Sequence, residues 1–119
     1  MSTEPEPLTL SRAVHRAVEI VDPDGNDDYV TDFLARFEDR DEPITAIEDV
    51  GELMAEATHS IDPEEDDPAL TMAGAIVTYL AFRRDQINDD GGRLLQLAAD
   101  AEFDGHPPPT VAAFLDGAA

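Results

Sequence analysis

PALTMAGAIVTYLAF, Pro68–Phe82, is the longest stretch of the chain without a charged residue. At 100° per residue its apolar positions cover well over half of a helix circumference. They are Leu70, Met72, Ala73, Ile76, Val77, Tyr79 and Leu80, and the pattern continues to Ile87. Only Thr71, Thr78 and Asp85 make a narrow polar strip. A helix that is apolar nearly all round is buried. The run is too short to span a bilayer. The spacing therefore predicts a mostly apolar central helix over 69–87, either inside a domain or with one side against a second subunit. Gly74 lets a neighbouring backbone come close, and Arg83 and Arg84 complement the helix dipole at its end.

The flanking segments supply the partners for such a helix. Leu10, Val14, Ala17, Val18 and Val21 form a 3.6-period stripe over 10–21. Thr9 or Ser11 can cap its start, and Pro23 lies just beyond its end. A second helix is expected over 27–38, with Val30, Phe33, Leu34 and Phe37 inward and Asn26 or Asp27 as N-cap. A third is expected over 44–60, with Ile47, Val50, Met54, Ala57 and Ile61 inward, although Gly51 costs its middle about 1 kcal/mol relative to alanine. After Asn88–Gly92 a fifth helix is expected over 90–102. The stiff His106–Pro109 link leads to a short sixth over 110–116. No segment alternates with period two between turn signals, and no internal repeat is evident. The reading is all-α: a single helical bundle of five or six helices over 8–119, preceded by a flexible acidic tail over 1–7.

The charge is extreme. Twenty-eight acidic residues face seven basic ones, a net charge of −21, yet 42% of the chain is hydrophobic, enough to fold. Every basic residue is arginine, and aspartate outnumbers glutamate. This composition resembles that of proteins from salt-loving archaea, which hold molar potassium chloride in the cytoplasm. The physics agrees: raising salt from ~0.1 M to ~1 M shortens the Debye length from about 10 Å to about 3 Å and screens the repulsion. Nucleic acid is disfavoured as a partner, because binding it draws on cations placed against phosphates. The absence of cysteine excludes disulfides, thiolate metal sites and cysteine nucleophiles. MSTEPEPLTL lacks the basic and apolar regions of a secretory signal, so the expected location is cytoplasmic, with no membrane association.

One loop resembles a calcium site. Asp22, Asp24, Asn26 and Asp28 fall at the first, third, fifth and seventh positions of an EF-hand loop. The sixth position, which needs glycine, is Asp27. The twelfth, which needs a bidentate glutamate, is Phe33. A turn leading into an N-cap explains the same residues, and weak divalent-cation binding is the alternative. Glu56 and His59 form half of a di-iron carboxylate motif, but the chain has no second such pair. His15 and Glu19 could share a metal, but two ligands on an exposed face do not make a site. His106 stands alone before three prolines. No catalytic residue is singled out, and no cofactor is expected.

The expected function is that of a non-catalytic interaction or regulatory module, acting as a homodimer or with another protein. The alternatives are a weak cation binder through the 22–28 loop, a DNA-binding regulator and a small hydrolase. The 44–60 segment, weighed as a recognition helix, carries Glu48, Asp49, Glu52 and Glu56 and no basic residue, which a phosphate backbone would repel.

Overall fold

The computed structural model describes residues 8–83, 86–87 and 89–118. The expected tail over 1–7, and the expected roles of Arg84, Asp85 and Asn88, lie outside these residues. Among the described residues the chain forms α1 (Leu10–Val21), α2 (Asp28–Phe37), α3 (Val50–Ile61), α4 (Pro68–Phe82), α5 (Gly91–Phe103) and α6 (Pro109–Ala118). A short 3₁₀ turn, Ile44–Ala46, precedes α3. The protein is an all-α bundle.

The apolar stretch sits at the centre. α4 buries Ala69, Leu70, Met72, Ala73, Gly74, Ala75, Ile76, Val77 and Leu80. It packs against α1, α2, α3, α5 and α6. Each fully buried Leu, Ile or Val side chain contributes about 1.5–3 kcal/mol, so α4 is the largest single source of core. Its threonines are satisfied within the helix: Thr71 Oγ1 donates to the Asp67 carbonyl at 3.3 Å and Thr78 Oγ1 to the Gly74 carbonyl at 2.9 Å. α3 comes close at Gly74, where a Cβ would stand 3.2 Å from Thr58 Cγ2. No helix among the described residues is long and apolar enough to cross a membrane.

α1 keeps the bounds its stripe predicts. Thr9 is its N-cap and accepts the Arg12 N–H at 3.2 Å. Ser11 has a different task. It is buried and its Oγ donates to the Glu38 carbonyl at 3.0 Å. The first N–H groups of a helix have no intrahelical partner. Here the stretch after α2 supplies two: Leu10 N donates to Glu42 O at 3.0 Å and Ser11 N to Arg40 O at 2.9 Å. Ile44 N then donates to Leu8 O at 2.8 Å, so the two chain segments run together into the 3₁₀ turn.

Three bounds differ from expectation. The 44–60 stripe does not form one helix. Ile44 is buried from the 3₁₀ turn instead, and α3 starts only at Val50, where Asp49 caps it by accepting the Glu52 N–H at 3.0 Å. A period-3.6 pattern cannot distinguish this arrangement from a continuous helix, because Ile47, which ends the 3₁₀ turn, and Val50, which opens α3, keep the three-residue spacing of one stripe. α4 ends at Phe82 rather than Ile87, with Arg83 leaving helical geometry at φ −126° and ψ 61°. Distant contacts shape the segment after it. Tyr79 Oη and Gln86 Oε1 are 2.7 Å apart, and Arg16 donates to the carbonyls of Ile87 at 2.9 Å and Asp89 at 2.6 Å. α6 is longer than expected and starts at Pro109, since proline is well suited to the first helical position.

The structure also contains an internal duplication. α1, a loop and α2 repeat, forty positions later, as α3, a loop and α4. The loops are DPDGND (Asp22–Asp27) and DPEEDD (Asp62–Asp67). In each, the opening aspartate closes the preceding helix with its own N–H, on Val18 O at 2.9 Å and on Thr58 O at 2.8 Å. Buried positions correspond as well: Leu10 with Val50, Val14 with Met54, Ala17 with Ala57, Val30 with Leu70, Phe33 with Ala73 and Phe37 with Val77. The bundle is thus two helical hairpins, with α5 and α6 completing the cover of α4.

Candidate functional site

The acidic loops bear the chemistry that the sequence singles out. In the first, Asp22 Oδ1 accepts the Asn26 N–H at 3.0 Å and Asp22 Oδ2 accepts the Asp27 N–H at 3.0 Å. In the second, Asp62 Oδ1 accepts the Asp66 N–H at 3.1 Å and Asp62 Oδ2 the Asp67 N–H at 2.8 Å. Both oxygens of each aspartate therefore fold the loop onto itself. Both loops turn through the left-handed region, at Gly25 with φ 68° and at Glu65 with φ 56°. Glycine does so freely, whereas a residue with a Cβ is penalised by about 1–2 kcal/mol. The second loop is held in this shape by Asp62, which is only 5% exposed.

Each loop ends in an N-cap aspartate. Asp27 Oδ1 accepts the N–H groups of Tyr29 at 2.9 Å and Val30 at 3.2 Å. Asp67 Oδ1 accepts the Ala69 N–H at 3.0 Å. These two caps start α2 and α4, which pack together. Burial, then the hydrogen bond to Asp27 and the charge of Asp27, push the Asp67 carboxyl up to about 7. The N–H groups of Ala69 and Leu70 act in the opposite sense.

Of the calcium-loop positions, Asp24, Asn26 and Asp28 are exposed at the surface, and Asp22 is half-buried and committed to amides. Phe33, at the twelfth position, is fully buried in the core and packs edge-on to Phe37, with ring centroids 5.3 Å apart. Among the described residues no three histidine or carboxylate side chains converge as a metal ion requires. Glu56 and His59 are exposed on α3, and His15 and Glu19 are exposed on α1. His106 Nδ1 lies 3.0 Å from the Asp104 carbonyl, in the turn after α5.

A cavity of about 210 Å³ lies between α3, α4 and the start of α6. Its walls include Thr58, Thr71 and Thr78, whose hydroxyls all donate to carbonyls of their own helices, with His59 at the side. A second, open cleft is different in kind. Arg12, His15, Arg16 and Glu19 line it on α1, with Ile87 beside them. Arg16 is held by its two carbonyl acceptors and lies 3.7 Å from Glu19.

Three other arginines have local acidic partners. Arg36 meets Asp32 at 3.7 Å and Arg93 meets Asp89 at 3.9 Å. Arg40 grips both oxygens of Glu42 at 2.7 and 2.9 Å. This hydrogen bonding raises the guanidinium and lowers the carboxyl from their ordinary values. Arg12 is exposed, and its side chain makes no hydrogen bond or ion pair among the described residues. The sequence gives no signal for that: a pairing pattern is a property of the folded surface.

Comparison of the chain with protein-family models, with curated proteins and with solved structures returned no match.

Proposed function

We propose that this protein is a non-catalytic interaction module of a high-salt cytoplasm, and that its first partner is a second copy of itself, met through the exposed face of α1. The observation that carries this reading is that the Arg12 side chain has no ion pair or hydrogen bond among the described residues, in a chain with 28 acidic residues. Arg12 lies in the first turn of α1, where the helix dipole disfavours a cation. Neither the helix dipole nor a partner among the described residues accounts for it, whereas a second copy's carboxylate would.

The same face supplies that carboxylate. Arg12, His15 and Glu19 are all exposed on α1. Arg12 and Glu19 are two helical turns apart, about 10 Å along the axis. Two antiparallel copies of α1 related by a two-fold axis near His15 would set each Arg12 against the other copy's Glu19. A symmetric interface needs this kind of self-complementarity. A desolvated arginine–carboxylate pair keeps its hydrogen bonds where salt screens exposed charges.

Charge reversal tests the arrangement. Light scattering in molar potassium chloride is expected to show a dimer for the native chain and a monomer for Arg12→Glu and for Glu19→Arg. The double variant, with the charges exchanged, is expected to recover the dimer. A native chain that is monomeric at every concentration would overturn the reading, and so would single variants that dimerise unchanged.

A further inference from the structure

We propose that the cavity between α3, α4 and the start of α6 is a binding site for a small primary ammonium ion with a compact apolar body. The cavity measures about 210 Å³. One of about 150 Å³ holds benzene, so there is room here for a body of that size and a short charged arm. Met54, Leu70, Ala75 and Val111, all buried, supply apolar wall for the body. Among the described residues no wall comes from α1, so this site and the dimer face are tested independently.

The polar walls select a cation that donates hydrogen bonds. A hydroxyl has one proton and two lone pairs. Thr58, Thr71 and Thr78 have given the proton to the carbonyls of Ala55, Asp67 and Gly74. Toward a ligand they keep only lone pairs. The carboxylates of Glu65 and Glu102 also line the cavity, and a carboxylate only accepts. Asp62, beside them, is 5% exposed, and the two bonds it accepts come from neutral amides. Among the described lining side chains, only His59 and Thr110 still have a proton to offer. A primary ammonium complements such a set, with three N–H donors and a positive charge on one centre.

Two glycines line the cavity, and only one has a packing reason. At Gly74 a Cβ would stand 3.2 Å from Thr58 Cγ2, so α3 and α4 could not lie as close as they do. At Gly51 a Cβ would meet Asp49 Oδ1 at 3.5 Å and Thr78 Cγ2 at 3.6 Å, ordinary contact distances. Alanine also suits a helix better than glycine. Gly51 thus leaves open a space beside Thr78 that an alanine would fill without strain. At ~1 M salt the Debye length is about 3 Å, so an acid holds a cation only by touching it. The lining of the cavity, not the net charge of the chain, decides what binds.

The test is a titration of the full chain with benzylammonium chloride in molar potassium chloride, followed by backbone amide NMR. Saturable shifts are expected at Gly51, Thr58, Thr78 and Val111, with a dissociation constant on the order of 1 mM. Benzyl alcohol and benzoate, which share the apolar body, are expected to bind roughly tenfold more weakly or not at all. Gly51→Ala is expected to weaken benzylammonium severalfold while its urea-unfolding midpoint stays at or above the native one. Glu65→Gln combined with Glu102→Gln is expected to weaken it about tenfold. Glu56→Gln, exposed on α3 outside the cavity, is expected to change nothing. The proposal is overturned if no shift saturates below about 20 mM, or if benzyl alcohol or benzoate binds as well as benzylammonium. It is also overturned if Gly51→Ala and the double variant leave the affinity unchanged, or if Glu56→Gln weakens it as much as the double variant.

Discussion

Asp62→Ala is expected to cost the fold about 3 kcal/mol, the largest loss of any single carboxylate. The side chain is 5% exposed and both of its oxygens accept backbone N–H groups, from Asp66 and Asp67. Leaving a buried donor unsatisfied costs about 1–3 kcal/mol, with the upper end for bonds to charged groups. Two donors are stranded here, and the turn that holds Glu65 at positive φ loses its anchor. Asp62→Asn keeps the shape and one acceptor, so its loss is expected to fall between those of alanine and the native chain. Asp22→Ala breaks the equivalent bonds at a half-buried position whose turn residue is Gly25. It should cost less than Asp62→Ala. Urea unfolding in molar potassium chloride gives the order directly. Equal losses at positions 22 and 62 would show that burial is not what sets the strength of these loops.

Dilution of salt is expected to unfold the chain. The radius of gyration is 13.7 Å and the net charge is −21. At ~0.01 M salt the Debye length is about 30 Å, so charges on opposite sides of the molecule repel, whereas at ~1 M it is about 3 Å. The folded state offers little compensation. Arg36–Asp32, Arg40–Glu42 and Arg93–Asp89 are local surface pairs, of a kind that contributes about 0–1 kcal/mol each. Helical circular dichroism should therefore collapse cooperatively as potassium chloride is withdrawn and return when it is restored. A signal unchanged from molar to millimolar salt would contradict this.

Local signals were legible in the sequence where they alone decide the structure. α1 has its predicted bounds because its stripe, its Thr9 cap and its terminal Asp22–Pro23 all agree. α4 was readable as the central helix because its apolar residues leave no face for water. The break before α3 was hidden, because Ile47 and Val50 fit one helical stripe although one ends the 3₁₀ turn and the other opens α3. The end of α4 was hidden for another reason. Tyr79 and Arg16 anchor Gln86, Ile87 and Asp89 through contacts that no local pattern announces.

The candidate site divides along the same line. Asp27 was legible as an N-cap, and Phe33 as a core residue, from their places in the second helix. The duplication was not, since the two hairpins share only Ala17 and Ala57, Asp22 and Asp62, Pro23 and Pro63, Asp27 and Asp67, Thr31 and Thr71, and Ala35 and Ala75 along the aligned helices and loops. Phe33 faces the core in one half and Ala73 in the other, so similar packing is achieved with different volumes. The influence of Asp27 on Asp67 is a product of that hidden symmetry. In a chain with so many carboxylates, spacing alone cannot distinguish the pair that interacts from those that do not.

The central claim is that the acidic loops are closed by their own aspartates and serve the fold, leaving the α1 face for partners. The most direct measurement follows the backbone amide resonances of Asn26, Asp27, Asp66 and Asp67 while calcium is added in molar potassium chloride. The account predicts that all four stay in place through millimolar calcium, because their N–H groups are already bound to Asp22 and Asp62. Saturable shifts at Asn26 and Asp27, absent with magnesium, would contradict it and make the 22–28 loop a calcium site.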